Sequence, residues 1–105
     1  MIFKIFRTNT FEKDFEKLPK KEQEEIDDFE GTLVASPFLG KPLGFAFFRE
    51  KRIGGRRIYY LIYEDVVIIL MVAISDKKTQ QATIDAIKSK LDDYYYLVHE
   101  ELKKI

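Results

Sequence analysis

The stretch FREKRIGGRRIYYLIYEDVVIILMVAI, residues 48–74, decides the fold. A Gly-Gly pair at 54–55 separates two runs rich in β-branched and aromatic residues. That pair predicts a two-residue hairpin of type I′, since both central residues of this turn need a positive φ. A Glu-Asp pair at 64–65 predicts a second hairpin, mainly because of the strands on either side of it. The last run, residues 66–74, is apolar throughout and predicts a central strand buried on both faces.

A short strand and a helical hairpin precede this meander. Residues 2–7, IFKIFR, predict a strand, and one of the polar residues 8–10 can cap the helix that follows. Pro19 either ends this helix or lies in the first turn of a second helix, predicted over residues 20–35. The expected buried stripe comprises Phe11, Phe15, Leu18, Ile26, Phe29, Leu33 and Val34.

A loop and a long helix complete the chain. Residues 36–46 contain two prolines and two glycines and predict a loop. Residues 77–104 have helical periodicity, and a helix of about 25 residues would be about 38 Å long. Its last turns must therefore fold back, overhang the domain or meet a partner. The order β-α-α-β-β-β-α predicts one α+β domain over residues 1–105, with the helices packed on a small, mostly antiparallel sheet.

Composition excludes several classes of function. The chain has no cysteine, which excludes disulfides, thiolate catalysis and zinc–cysteine sites. No apolar run reaches the roughly 18 residues that a membrane span requires. Lys4 and Arg7 interrupt the apolar residues at the start, which also lacks a signal-peptide cleavage site, so we expect a cytoplasmic protein. His99 is the single histidine and no metal site is expected around it.

Charge is sorted along a chain whose net charge is zero. Residues 11–30 carry nine acids and four bases, whereas residues 41–57 carry six bases and one acid. A two-residue turn at the Gly-Gly pair places Arg52 opposite Arg57 on one side of the sheet, and such like-charged pairs destabilise a hairpin. The cations either splay into water and pair with Glu50 and the acidic helices, or they form a site for a polyanion, whose phosphates suit the arginine fork.

A second cationic pair is predicted to join the first. Lys77 and Lys78 follow the last strand, whose end lies beside the start of the strand RRIYYLIY in a meander. The two basic segments therefore meet at one end of the sheet and predict an anion pocket. The phosphate-binding candidates are Arg49, Arg52, Arg56, Arg57, Lys77 and Lys78.

Several motifs resemble those of the RelE/ParE toxin superfamily. They are the order of elements, the Leu-Pro-Lys-Lys pattern at 18–21, the G-x-R-I-x-Y stretch at 55–60 and the acidic turn before VVIILMV. The resemblance covers nearly the whole chain. It implies a toxin held inactive by a cognate antitoxin, acting either as a RelE-like ribonuclease on ribosome-bound mRNA or as a ParE-like inhibitor of DNA gyrase.

The resemblance also implies site residues. RelE-type cleavage uses no metal or cofactor, and its arginine in the G-x-R stretch corresponds to Arg57. The arginine after the last strand corresponds to Lys77. The strand lysines have no match in register, and we assign the role of base to Lys51, a lysine crowded by arginines. The family tyrosine falls near Gln81 or Thr83, neither of which is a comparable acid, so a degenerate member that binds RNA or antitoxin without cutting stays open. A homodimer or a toxin–antitoxin hetero-oligomer is also open.

Overall fold

A computed structural model describes residues 1–105. Its strands are β1 (Lys4–Arg7), β2 (Lys41–Pro42), β3 (Phe48–Ile53), β4 (Arg56–Tyr63) and β5 (Ile68–Asp76). Its helices are α1 (Asn9–Glu16), α2 (Lys20–Leu33), α3 (Gln80–Ser89) and α4 (Leu91–Tyr96), with 3₁₀ turns at Pro37–Leu39 and Leu102–Lys104 and a π-helical turn at Leu97–Glu101. The predicted α+β class is confirmed. None of the helices combines the length and the apolar character that crossing a membrane takes.

The five strands form one sheet in the order β1-β5-β4-β3-β2. Strands β3, β4 and β5 form the predicted antiparallel meander, and β1 pairs with β5 in parallel. The predicted loop at 36–46 is wrong in one respect, because Lys41 and Pro42 pair with β3 as a short edge strand. The last strand begins at Ile68 rather than at residue 66, since residues 64–67 form a turn in which Val67 adopts a φ of 59°.

The Gly-Gly hairpin has the predicted length and register but a different turn type. Ile53 pairs with Arg56 and Arg52 pairs with Arg57, so the loop contains two residues. Only Gly54 has a positive φ, at 59°. A positive φ at the first central residue alone fits type II′ rather than the predicted type I′. Both types match the twist of the strands, so the register does not depend on the difference.

The sheet separates two apolar cores, one on each face. The first, under α1 and α2, contains Phe11, Phe15, Ile26, Phe29, Leu33, Ile58, Tyr60, Ile62, Ile69 and Met71. The second, under α3 and α4, contains Phe48, Tyr59, Leu61, Tyr63, Leu70, Val72, Ile84, Ile87 and Val98. Strand β5 contributes to both cores, as its uninterrupted apolar sequence predicts.

The helical hairpin is fixed at its caps and by one arginine. The Thr8 hydroxyl accepts a hydrogen bond of 3.1 Å from the Phe11 amide and caps α1. Helix α1 ends at Glu16 and Pro19 is the N-cap residue immediately before α2, so Pro19 lies in the break between the two helices and not in the first turn of α2. Arg7 at the end of β1 forms ion pairs of 2.8–3.2 Å with Glu12, Asp27 and Glu30, so part of the acidic helical face neutralises a cation of the sheet.

The predicted continuous C-terminal helix is wrong. It breaks between α3 and α4 at Lys90, whose backbone has φ −116° and ψ 13°. The chain then folds back over the second core, where Val98 is fully buried. The Lys4 ammonium donates a 2.8 Å hydrogen bond to the carbonyl of Ile105, which ties the C-terminus to β1. Folding back, one of the three predicted outcomes, resolves the excess length.

Candidate anion-binding active site

The hairpin register divides the cations of β3 and β4 between the two faces of the sheet. Because paired residues share a face and successive residues alternate, Arg52 and Arg57 lie on the face covered by α3. Lys51 pairs with Ile58 and lies on the face covered by α2, as does Arg49 opposite Tyr60. Of the cations predicted to form the anion pocket, those on the α2 face of the sheet cannot contribute to a pocket on the α3 face.

Arg57 is buried without a partner. The residue is 7% exposed, and its guanidinium makes no hydrogen bond and no ion pair. The cations in the ion pairs of the molecule are Arg7, Arg56 and His99. Each unpartnered nitrogen of Arg57 keeps some contact with solvent. The molecule has one side-chain polar atom that is both enclosed and without a hydrogen-bond partner, and that atom is Glu22 Oε2. Arg57 therefore offers a desolvated guanidinium, open at its nitrogens, to an incoming anion.

A β-bulge brings Ser75 to the same face. Between β4 and β5 the register shifts, so that Tyr59 pairs with Ala73 whereas Tyr60 pairs with Met71. The extra residue reverses the alternation of β5 beyond it, as bulges do. The Tyr59 hydroxyl lies 2.8 Å from Ser75 Oγ. Burial raises the pKa of Tyr59 above its usual value, so this phenol stays protonated at neutral pH.

The second basic segment meets the hairpin as predicted. Arg57 pairs with Ser75 and Arg56 with Asp76, so Lys77 follows directly at the same end of the sheet. Lys77 and its neighbour Lys78 are exposed and form no ion pair.

The nearest acid on this segment is already engaged. The Asp76 carboxylate accepts hydrogen bonds of 2.9 and 3.0 Å from the amide and hydroxyl of Thr79, which lower the pKa of Asp76. These hydrogen bonds hold Asp76 in its ionised form, so segment 76–78 carries one negative and two positive charges and stays cationic overall.

Three of the predicted phosphate-binding or catalytic cations have structural contacts on the other face. Arg49 donates to the carbonyl oxygens of Ala46 and Gly40 at 2.8 and 2.9 Å. Arg56 forms an ion pair of 3.3 Å with Glu22 of α2. For this cation the structure therefore shows the first of the two predicted outcomes, pairing with an acidic helix. Lys51 Nζ lies 5.8 Å from the ring centre of Phe29 in α2. The arginines that share the face of Lys51 are Arg49 and Arg56, whereas strand alternation places Arg52 and Arg57 on the opposite face.

Sequence reasoning missed two residues on the Arg57 face. Glu50 pairs with Tyr59 across the hairpin, and its Oε1 accepts a 2.7 Å hydrogen bond from Nε2 of Gln80 at the start of α3. Strand alternation from the Gly-Gly turn could have placed Glu50 beside Tyr59. Nothing in the sequence predicted Gln80, which is 30 residues away and reaches Glu50 only because α3 packs across this face.

The fold of this chain is that of the RelE-like toxin superfamily. Among similar solved structures is the RelBE2 toxin–antitoxin complex of Mycobacterium tuberculosis, with 25% identity and a TM-score of 0.65 over 73% of this chain and 100% of that chain. A mutant of E. coli RelE in the free state has 16% identity and a TM-score of 0.74 over 85% and 98% of the two chains. The YoeB/ParE toxin from Agrobacterium tumefaciens has 19% identity and a TM-score of 0.62 over 70% and 98%.

At the sequence level the chain stands apart. No protein-family model matches it, and no curated protein does. The fold assignment therefore depends on the order and packing of elements, which agrees with the looseness of the individual motifs.

Proposed function

We propose that this protein is the toxin of a type II toxin–antitoxin pair and a metal-independent endoribonuclease that cleaves ribosome-bound mRNA. The observation that carries the proposal is the unpartnered Arg57, buried on one face with Glu50 at the sheet end where Lys77 emerges. A RelE-like fold around such a site supports it, and similar solved structures include toxins crystallised with antitoxins.

The geometry suits transfer of a phosphate from a 5′-oxygen to the ribose 2′-oxygen. Glu50 is the carboxylate on this face able to accept the 2′-hydroxyl proton, and Gln80 holds it in place. Arg57 and Arg52 stabilise the charge that develops on the phosphate oxygens. Lys77, whose ammonium carries three donor hydrogens, assists the leaving 5′-oxygen. In this assignment Glu50 replaces Lys51 as the base, because Lys51 lies on the other face.

Inhibition of DNA gyrase, as a ParE-like toxin, is the second candidate. One observation favours it: the side chains of the α3 residues aligned with the family tyrosine form hydrogen bonds to residues of the same helical segment. The Gln81 amide donates to Asp85 at 2.9 Å and the Thr83 hydroxyl to the carbonyl of Thr79 at 2.9 Å. A gyrase inhibitor needs no general acid, whereas the ribonuclease must protonate its leaving group through Lys77 or water.

Expression in a bacterial host separates these functions. Wild type and Arg57→Met are induced in parallel, mRNA 5′ ends are mapped and a DNA-damage reporter is followed. We expect growth arrest with new 5′ ends inside codons for wild type, and neither for Arg57→Met. Reporter induction without new 5′ ends would assign gyrase inhibition, and growth without either signal would indicate a binding protein that has lost catalysis.

The antitoxin is expected to cover the exposed cations. Because Arg52, Lys77 and Lys78 are unpaired at one end of the sheet, the antitoxin segment seated there should be acidic. Such a segment would occupy the place of the mRNA phosphates and block the site in the cytoplasm until it is removed.

A further inference from the structure

A groove with aromatic walls lies at the end of the sheet opposite the cations. Its volume is about 410 Å³ and its walls include Phe47, Tyr63, Leu91 and Tyr95. Strand β4 runs from the cationic end of the sheet to this groove. Its eight residues span roughly 23 Å, which is the distance between the two sites. Tyr95 is 53% exposed; its ring stacks on that of His99 with the centroids 3.9 Å apart, so only the ring face turned away from His99 can meet a ligand.

The rim of this groove is acidic. Glu64, Asp65 and Asp92 line it, and neither Glu64 nor Asp92 forms an ion pair. Asp65 is engaged with His99, at 2.7 Å from Nε2, while the other ring nitrogen faces the carbonyl of Tyr95 at 3.0 Å. Both partners offer acceptor oxygens, an arrangement that the doubly protonated ring satisfies at both nitrogens. One of the three carboxylates is thus engaged within the molecule, and two remain.

We propose that this groove binds an arginine side chain presented by a partner protein. A guanidinium stacks on aromatic faces and forms paired hydrogen bonds with carboxylates. The methylene stem of arginine suits the apolar walls, as such stems commonly cover apolar surface. An anionic or neutral ligand would leave Glu64 and Asp92 uncompensated. The site does not depend on RNA cleavage and leaves the cationic end free.

Titration of the ¹⁵N-labelled full-length protein tests the proposal. The probe is a Gly-Ser-Arg-Ser-Gly peptide, and its matched control carries citrulline, a neutral group of nearly the same shape. We expect saturable NMR shifts at residues 63–65 and 91–99 with the arginine peptide and none with the citrulline peptide. Equal binding of both peptides, or arginine shifts located elsewhere, would overturn the proposal. Tighter binding of free arginine would assign the groove to a metabolite instead of a partner.

Variants locate the interaction. Combined Asp92→Asn and Glu64→Gln should weaken the arginine peptide about tenfold or more, because two charge-assisted hydrogen bonds are lost. Tyr95→Ala should weaken it whereas Tyr95→Phe should not, since the cation faces the ring and not the hydroxyl. Combined Glu24→Gln and Glu25→Gln on exposed α2 removes the same charge elsewhere. An equal loss in this control would reduce the effect to net charge and contradict a specific site.

Discussion

Arg57 has lost most of its hydration without gaining a carboxylate. Removing one partner of a buried ion pair is strongly destabilising because it leaves an uncompensated charge, and Arg57 resembles such a charge, relieved only by the solvent that still reaches its nitrogens. A fold would not gain stability from this arrangement. An anion that arrives from outside would, however, bind to it with little further desolvation cost.

Arg57→Met tests this interpretation at the level of one residue. The substitution keeps the volume and removes the charge, so we expect RNA cleavage to fall by roughly 10²–10³-fold while the melting temperature does not fall. The matched control is Arg56→Met, the adjacent residue on the opposite face. A purely structural role for Arg57 would give the reverse pattern, with a lower melting temperature and cleavage retained.

Glu50→Gln and Lys51→Met decide which residue is the base. These neighbours lie on opposite faces of β3. The assignment of Lys51 as the base, made from the sequence, predicts that Lys51→Met abolishes cleavage with RNA binding largely kept. The structure predicts instead a loss of roughly 10²–10⁴-fold for Glu50→Gln and near-normal cleavage for Lys51→Met. Single-turnover cleavage on programmed ribosomes measures both, and a loss confined to Lys51→Met would restore the first assignment.

The residue pairings were more predictable than the residue environments. The length of the Gly-Gly turn sets the pairing of Arg52 with Arg57, because each further pair follows from it. Burial of Arg57 and the contact between Glu50 and Gln80 depend on where α3 crosses the sheet, which no local pattern specifies.

The loop before β3 is fixed to the sheet at Gly40. The Tyr60 hydroxyl accepts a 2.8 Å hydrogen bond from the Gly40 amide and donates one of 2.9 Å to the carbonyl of Pro37. A Cβ at Gly40 would lie 2.8 Å from both the Glu50 carbonyl oxygen and this hydroxyl. The loop that leads into β2 therefore lies so close to the sheet at Gly40 that no side chain fits at this position.

Gly40→Ala should lower the free energy of unfolding by about 1–3 kcal/mol, as overpacking does. Gly31→Ala is the matched control, because nothing lies within 4 Å of a Cβ added there, inside α2. That change should raise stability by about 0.5–1 kcal/mol. Urea denaturation measures both. Equal effects of the two substitutions would contradict the close approach at Gly40.

The C-terminal segment is expected to respond to pH through His99 and Asp65. Their hydrogen bond raises the pKa of His99 above 6.5 and lowers that of Asp65 below 3.8. Stability from His99 is complete below about pH 6.5 and is lost as pH rises through the folded-state pKa, whereas that from Asp65 is lost as pH falls through its own. The pair therefore stabilises most between about pH 4 and 6.5.

Because Asp65 is largely exposed, the contribution should be at most about 1 kcal/mol. Thermal unfolding of wild type and His99→Gln across pH 5–9 measures it. We expect the difference between the two proteins to shrink as the pH rises from 6.5 through the folded-state pKa of His99. A constant difference over this range would show that the ring acts through packing alone.

Element type was largely predictable, and element ends were not. The periodicity of the last helix continues from Ile84 to Val98, yet the backbone breaks at Lys90 because a straight helix would leave the domain. The bulge at Tyr59 and Tyr60 and the edge strand β2 have no signal of their own, since both arise from pairing with distant residues. The parallel pairing of β1 with β5 likewise depends on contacts between residues that are far apart in the sequence.

Charge is organised across the molecule as well as along the chain. The domain measures 32 × 27 × 23 Å. Ion pairs of Arg7 and Arg56 engage part of the acid on α1 and α2. Lys77 and Lys78 form no ion pair at one end of the sheet, and Glu64 and Asp92 form none at the other. The two ends of the sheet in this neutral protein therefore differ in the sign of the charge that they leave unpaired.

Salt-dependent binding of a 2′-O-methyl RNA, which lacks the attacking hydroxyl, tests the cationic site most directly. For single strands, the slope of log K against log salt changes by roughly 0.7 for each phosphate contact. We predict that combined Arg57→Met and Lys77→Met weakens binding and reduces this slope by roughly 1.4, whereas combined Lys4→Met and Lys13→Met changes neither. Unchanged affinity and slope in the Arg57 and Lys77 variant would contradict the account.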